Sequence, residues 1–230
     1  MITYYLIGGV AFVVTMLIQS WLKSTYSKWT RVGNAAGLTG AQTARAILNA
    51  NGLPEVKVEA VKGQLTDHYD PRSRTVRLSE GNYGHANVAG LAVAAHEVGH
   101  AIQHAQAYAP LRFRAALVPV ANIGSQFGPM LAIFGIFLGA GAEAGGAGGL
   151  LLQVGIFLFA GAVLFHLVTL PVEFDASRRA LAQLQTMGLV TRQDAGGAKA
   201  VLTAAAMTYV AAAATAIAYL IYFILASRRR

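Results

Sequence analysis

Two histidines and a glutamate stand together in the stretch His96-Glu97-Val98-Gly99-His100. On a helix, residues four apart leave the same face, so these two imidazoles can hold one ion between them. A glutamate directly after the first histidine is, in such a pattern, the general base that takes a proton from a metal-bound water. A closed-shell ion suits this hydrolytic ligand set, which favours zinc over iron, with one Zn2+ per chain. The chain has no cysteine, so thiolate ligands and disulfides are excluded. Two surface histidines flanking a helix glutamate would give the same five letters, and the surroundings must decide.

A third ligand has to come from elsewhere. His104 continues the same helix face, but eight residues from His96 is about 12 Å along a helix axis. That is too far for shared coordination, and His104 reads as a polar helix residue near the site. The segment Pro171-Val172-Glu173-Phe174-Asp175-Ala176-Ser177-Arg178-Arg179 gathers two acids in a chain that is poor in them. Glu173 is the expected third ligand. Asp175 is the alternative, and two positions along a helix it faces away from Glu173. Acids in a first helical turn followed by arginines also fit plain dipole-favourable charge placement.

The elements that carry these residues follow from composition. The chain has 230 residues, 55% hydrophobic and 12% charged, with a net charge of +8. A typical soluble domain is about 25% charged. The fold class expected is a mainly α integral membrane protein, with about four transmembrane helices and a small cytoplasmic α+β zinc-protease domain. A span needs about 20 apolar residues. The expected spans are 2–22, read as a retained anchor, then 117–140, 150–170 and 200–226. A short link containing Glu143 joins the second and third, and Arg228, Arg229 and Arg230 close the sequence.

Two polar pieces, 23–116 and 171–199, lie between the spans. They hold 15 of the 18 basic residues, all but the three terminal arginines. Two spans separate the pieces, so both face one side, and the positive-inside bias makes that side the cytoplasm. The basic excess is then topological and no nucleic-acid partner is expected. With four spans the terminal arginines end outside, against the same bias.

Within 23–116 the order is α+β. Thr39 can cap a helix to about Asn49, with Gln42 at the capping-box position and Gly52 as a stop. Alternation over residues 55–61 reads as an exposed strand. Residues 65–69 and 75–78 read as two more, joined by the turn Asp70-Pro71-Arg72-Ser73. The motif helix is expected over about 86–107, with a buried stripe of Leu91, Ala94, Val98 and Ile102.

His96-Glu97-Val98-Gly99-His100-Ala101-Ile102-Gln103, preceded by Leu65-Thr66-Asp67-His68-Tyr69-Asp70-Pro71 and Val76-Arg77-Leu78-Ser79, resembles the YugP-type neutral zinc metallopeptidases. The later Leu170-Pro171-Val172-Glu173-Phe174-Asp175-Ala176-Ser177 fits as well, and the resemblance covers nearly the whole chain. More distantly, the layout is similar to the HtpX and CAAX-prenyl-protease group. That group implies His96, His100 and Glu173 as ligands and Glu97 as base. It usually places an aspartate four residues after the ligand glutamate to orient a zinc histidine, and here that position is Ser177. A hydroxyl is a weaker partner for an imidazole than a carboxylate, so another acid, Asp67 or Asp175, is a candidate for the task. The group also implies an edge strand that binds extended substrate by β-addition. The Leu65–Leu78 hairpin is the candidate, with His68 or Tyr69 near the scissile bond. Arg178 and Arg179 could polarise a carbonyl or bind a substrate carboxylate. The expected function is a membrane-embedded zinc endopeptidase acting on a peptide or membrane-protein substrate at the cytoplasmic face. The alternatives are a non-catalytic metal-binding scaffold or chaperone, and a site-2-type intramembrane protease.

Overall fold

The computed structural model describes residues 2–139 and 146–228. The Glu143 link and the arginines at 229 and 230 lie outside the described residues. The elements run α1 (Ile2–Thr30), α2 (Gly40–Ala50), β1 (Lys57–Val61), β2 (His68–Asp70), β3 (Thr75–Ser79), α3 (Glu80–Gly84), α4 (Val88–Ala105), α5 (Ala109–Phe137), α6 (Ala147–Thr186) and α7 (Arg192–Arg228). The chain is mainly helical. Among the described residues, α1, α5, α6 and α7 are long and apolar enough to cross a membrane.

The chain forms two compact units. One comprises Met1–Leu17, Arg112–Leu170 and Thr208–Arg230. Its helices α5 and α6 meet through small residues. A Cβ on Gly124 would lie 2.2 Å from the Leu158 carbonyl oxygen, and one on Gly155 would lie 2.5 Å from Ala132 N. Lipid-soluble helices gain little from apolar burial against each other, so close backbone approach of this kind is how they pack. The Tyr4 ring lies 5.0 Å from Tyr219 and 5.7 Å from Tyr222. The start of α1 therefore sits beside the end of α7.

The other unit comprises Ile18–Leu111 and Pro171–Met207. Helix α2 opens on the full capping box, with Thr39 Oγ1 accepting from Gln42 N and Gln42 Oε1 accepting from Thr39 N. The sheet order is β1-β3-β2, with β1 parallel and β2 antiparallel to β3. The first strand of the hairpin begins at His68, later than the expected residue 65. Gly63 and Leu65 have φ of +107° and +56°, and extended pairing cannot run through left-handed backbone. The turn is built by Asp70, which accepts from Arg72 N at 2.9 Å, Ser73 Oγ at 2.7 Å and Arg77 Nη1 at 3.1 Å.

Helix α4 is capped by Asn87, whose side chain accepts from Gly90 N at 2.7 Å. Leu91, Ala94, Val98 and Ile102 are all buried, in a core with Ile47, Leu48, Val76, Leu78, Leu184 and Leu202. The segment after residue 170 differs from expectation. Glu173 and Asp175 do not stand in a first helical turn, because Pro171 lies inside the continuous α6. A proline removes one backbone hydrogen bond and bends a helix without having to end it. Beyond it Val172, Ala176, Ala180 and Leu184, spaced by four, form one fully buried ridge that holds the helix in place.

Candidate metal centre

His96 and His100 leave α4 one turn apart, their rings 4.8 Å apart between centroids and nearly perpendicular. Glu173 comes from α6, just past Pro171, and its side chain is almost wholly buried. Its Oε2 lies 3.3 Å from His96 Nε2 and 3.6 Å from His100 Nε2. One ligand atom from each residue falls within 4.8 Å of the other two. Tetrahedral zinc with bonds of about 2.0–2.1 Å has ligand-to-ligand edges of about 3.3 Å. The spacing and chemistry of this donor set therefore fit a zinc ion.

Both histidines turn Nε2 towards Glu173 because Nδ1 is engaged elsewhere. His96 Nδ1 lies 3.1 Å from Ser177 Oγ, and His100 Nδ1 lies 3.0 Å from Gln103 Oε1. Ser177 thus occupies the orienting position with a hydroxyl. Gln103 has no part in the ligand pattern read from the sequence, yet it stands three residues after His100, the spacing of neighbours on one helix face.

Helix α4 and α6 approach closely here. A Cβ on Gly99 would lie 2.6 Å from the Ala176 carbonyl oxygen, so only glycine fits between the two histidines at this separation. Glu97 is buried on the same helix. Burial pushes its carboxyl up, against the opposing charge of His96 and His100 and with help from Glu173 and Asp67. A bound cation acts in the other direction, favouring the carboxylate. For His100 burial works downwards, but the hydrogen bond to Glu173 and the charges of Glu97 and Glu173 outweigh it, and its basicity is raised.

The other candidates are placed as follows. Asp175 does not join the cluster: Gln103 Nε2, Arg178 and Arg179 all donate to its carboxylate. Arg179 also donates to Gln106 Oε1 at 2.6 Å. Asp67 accepts from Ser79 N at 2.7 Å and Asn82 Nδ2 at 3.0 Å, and it contacts neither imidazole. Tyr69 on β2 shares a 2.8 Å hydrogen bond with His104 Nδ1. His68 is exposed, its Nδ1 2.8 Å from Thr66 O.

Comparison with known proteins agrees with this geometry. A family described as "Putative neutral zinc metallopeptidase" matches residues 4–228. The chain belongs to that family. It is 45% identical over 204 residues to "Putative membrane protease YugP" of Bacillus subtilis (strain 168), covering 89% of this chain and 87% of that protein. No solved structure matches the chain. Family membership, four apolar helices and a His-His-Glu cluster together make this a membrane protein of the zinc metallopeptidase type.

Proposed function

We propose that this chain is a membrane-embedded zinc endopeptidase that cleaves extended polypeptide at the cytoplasmic face. The observation that carries it is the convergence of His96, His100 and Glu173, with Glu173 Oε2 3.3 Å from His96 Nε2 and 3.6 Å from His100 Nε2, and Glu97 buried on the same helix as the histidines. His96, His100 and Glu173 would hold one Zn2+, which when bound lowers the pKa of a water towards about 7 and polarises a carbonyl. Glu97 then takes the proton from the attacking water and hands it to the leaving amine. Burial keeps that proton exchange away from bulk solvent.

The proposed substrate contact is β2. It lies at the edge of the sheet, so its outer backbone groups can pair with an extended segment. The Tyr69–His104 hydrogen bond ties that edge to the motif helix. Arg178 and Arg179, committed to Asp175, serve the site's scaffold. The cytoplasmic assignment rests on the 15 basic residues in the two polar pieces.

The test is Glu97→Gln. Removing a general base costs about 10²–10⁴ in rate, so cleavage of casein or a model membrane protein should fall by that factor while the variant still binds one zinc. Full activity in Glu97→Gln sinks the assignment. A wild type that binds no metal and cleaves nothing points to a scaffold instead.

A further inference from the structure

A histidine that gives Nε2 to a metal must carry its hydrogen on Nδ1, so the Nδ1 partner must accept. Ser177 Oγ, the partner of His96, can accept or donate as its hydroxyl turns. The partner of His100 has no such freedom. Gln103 Nε2 lies 2.9 Å from Val172 O and 2.9 Å from Asp175 Oδ2. A carbonyl and a carboxylate only accept, so the amide must present its nitrogen to them. Its oxygen is left facing His100, which must then donate from Nδ1. Asp175 is in turn held by Arg178 and Arg179. Gln103 has no solvent exposure, so bulk water does not compete for its partners.

We propose that Gln103 is a positioning residue that sets the tautomer of His100, and that Asp175 sets the sense of the Gln103 amide. The inference rests on the zinc reading above. A flipped amide would turn its NH2 towards His100 Nδ1 and drive the proton to Nε2, where the metal must bind. The flip would also set an oxygen against the Val172 carbonyl and the Asp175 carboxylate. The arginine–aspartate cluster therefore acts on the metal through one buried amide. The same amide holds the backbone of Val172, directly before Glu173, so it ties together the two helices that carry the ligands.

The experiment compares full-length wild type, Gln103→Met and Asp175→Asn in detergent. Zinc dissociation constants come from chelator competition, and Co2+-loaded protein reports coordination through its visible d–d bands. Loss of an outer partner of a metal ligand typically costs about 10–100-fold in metal affinity. Gln103→Met is expected to lose that much and to shift the Co2+ spectrum. Asp175→Asn, which keeps the shape and removes the charge that orients the amide, is expected to weaken zinc by a smaller factor with a spectral change of the same kind. If wild type binds no zinc, the metal reading itself fails. If wild type binds and Gln103→Met matches it in affinity and spectrum, whatever its melting temperature, the positioning role is overturned and the metal reading stands. If Gln103→Met does not fold, Gln103→Leu takes its place under the same criteria, and an unchanged zinc affinity and spectrum in Asp175→Asn overturns the role given to Asp175.

Discussion

Gly99→Ala should separate folding from metal binding. The added methyl would sit 2.6 Å from the Ala176 carbonyl oxygen, and 3.2 Å from its carbonyl carbon and Cα. Ordinary contact begins at 3.4 Å, so α4 and α6 must part by about 3.4 − 2.6 = 0.8 Å, or the turn carrying Ala176 must tilt by as much. Metal bonds hold within about 0.2 Å. Ala176 is three residues from Glu173, so much of that shift reaches the carboxylate facing the imidazoles. For stability, alanine gains about 0.8–1 kcal/mol over glycine in a helix, and overpacking costs about 1–3 kcal/mol. The net change is a loss of between about 0 and 2 kcal/mol, which leaves the chain folded. Zinc affinity should fall by at least about 10-fold, the lower end for lost support of a ligand. The assay is chelator competition beside a thermal melt followed by circular dichroism. Gly196→Ala is the control, because a Cβ there meets nothing within 4 Å. It should keep zinc and gain up to about 1 kcal/mol. Wild-type zinc affinity in a folded Gly99→Ala would refute the claim that the helix separation at Gly99 sets the ligand geometry.

Two further outcomes follow from the same structure. His100 holds a proton more tightly than an ordinary histidine in the metal-free site, and metal needs the neutral ring. Because the pKa is raised, the proton begins to win as pH falls, and it does so above the usual histidine value of about 6.5. Zinc affinity measured from pH 8 to pH 5 should already be falling in that upper range; a flat profile down to pH 6 would contradict it. Tyr69→Phe removes the hydrogen bond between β2 and His104, at a cost of about 0.5–1.5 kcal/mol. Steady-state kinetics on a peptide substrate should show a raised KM with kcat largely kept, and a loss in kcat alone would place Tyr69 in the chemical step.

Local relations were legible because they lie within one or two helical turns or one strand. His96 and His100 share a face because they are four apart on a helix, whatever that helix packs against. The Thr39–Gln42 capping box and the buried stripe of α4 are local in the same sense. Runs of apolar residues were enough to mark the four long helices, since hydropathy depends on composition alone. The course of α6 through Pro171 was not legible, because a proline's local cost is offset by a ridge of buried contacts supplied from elsewhere in the fold. Nor was the start of β2, which waits on two left-handed residues.

By itself, then, the sequence determined that two imidazoles and a glutamate stand on one helix, and that an acidic pair follows the third apolar run. Only the tertiary structure decided what each acid touches. Glu173 meets both imidazoles across more than 70 residues of chain, while Asp175, two positions on, turns to Gln103, Arg178 and Arg179. Spacing along a helix sets which way side chains point relative to each other. It does not set how near a second helix comes, and here that depends on the absent side chain of Gly99 against the backbone of Ala176.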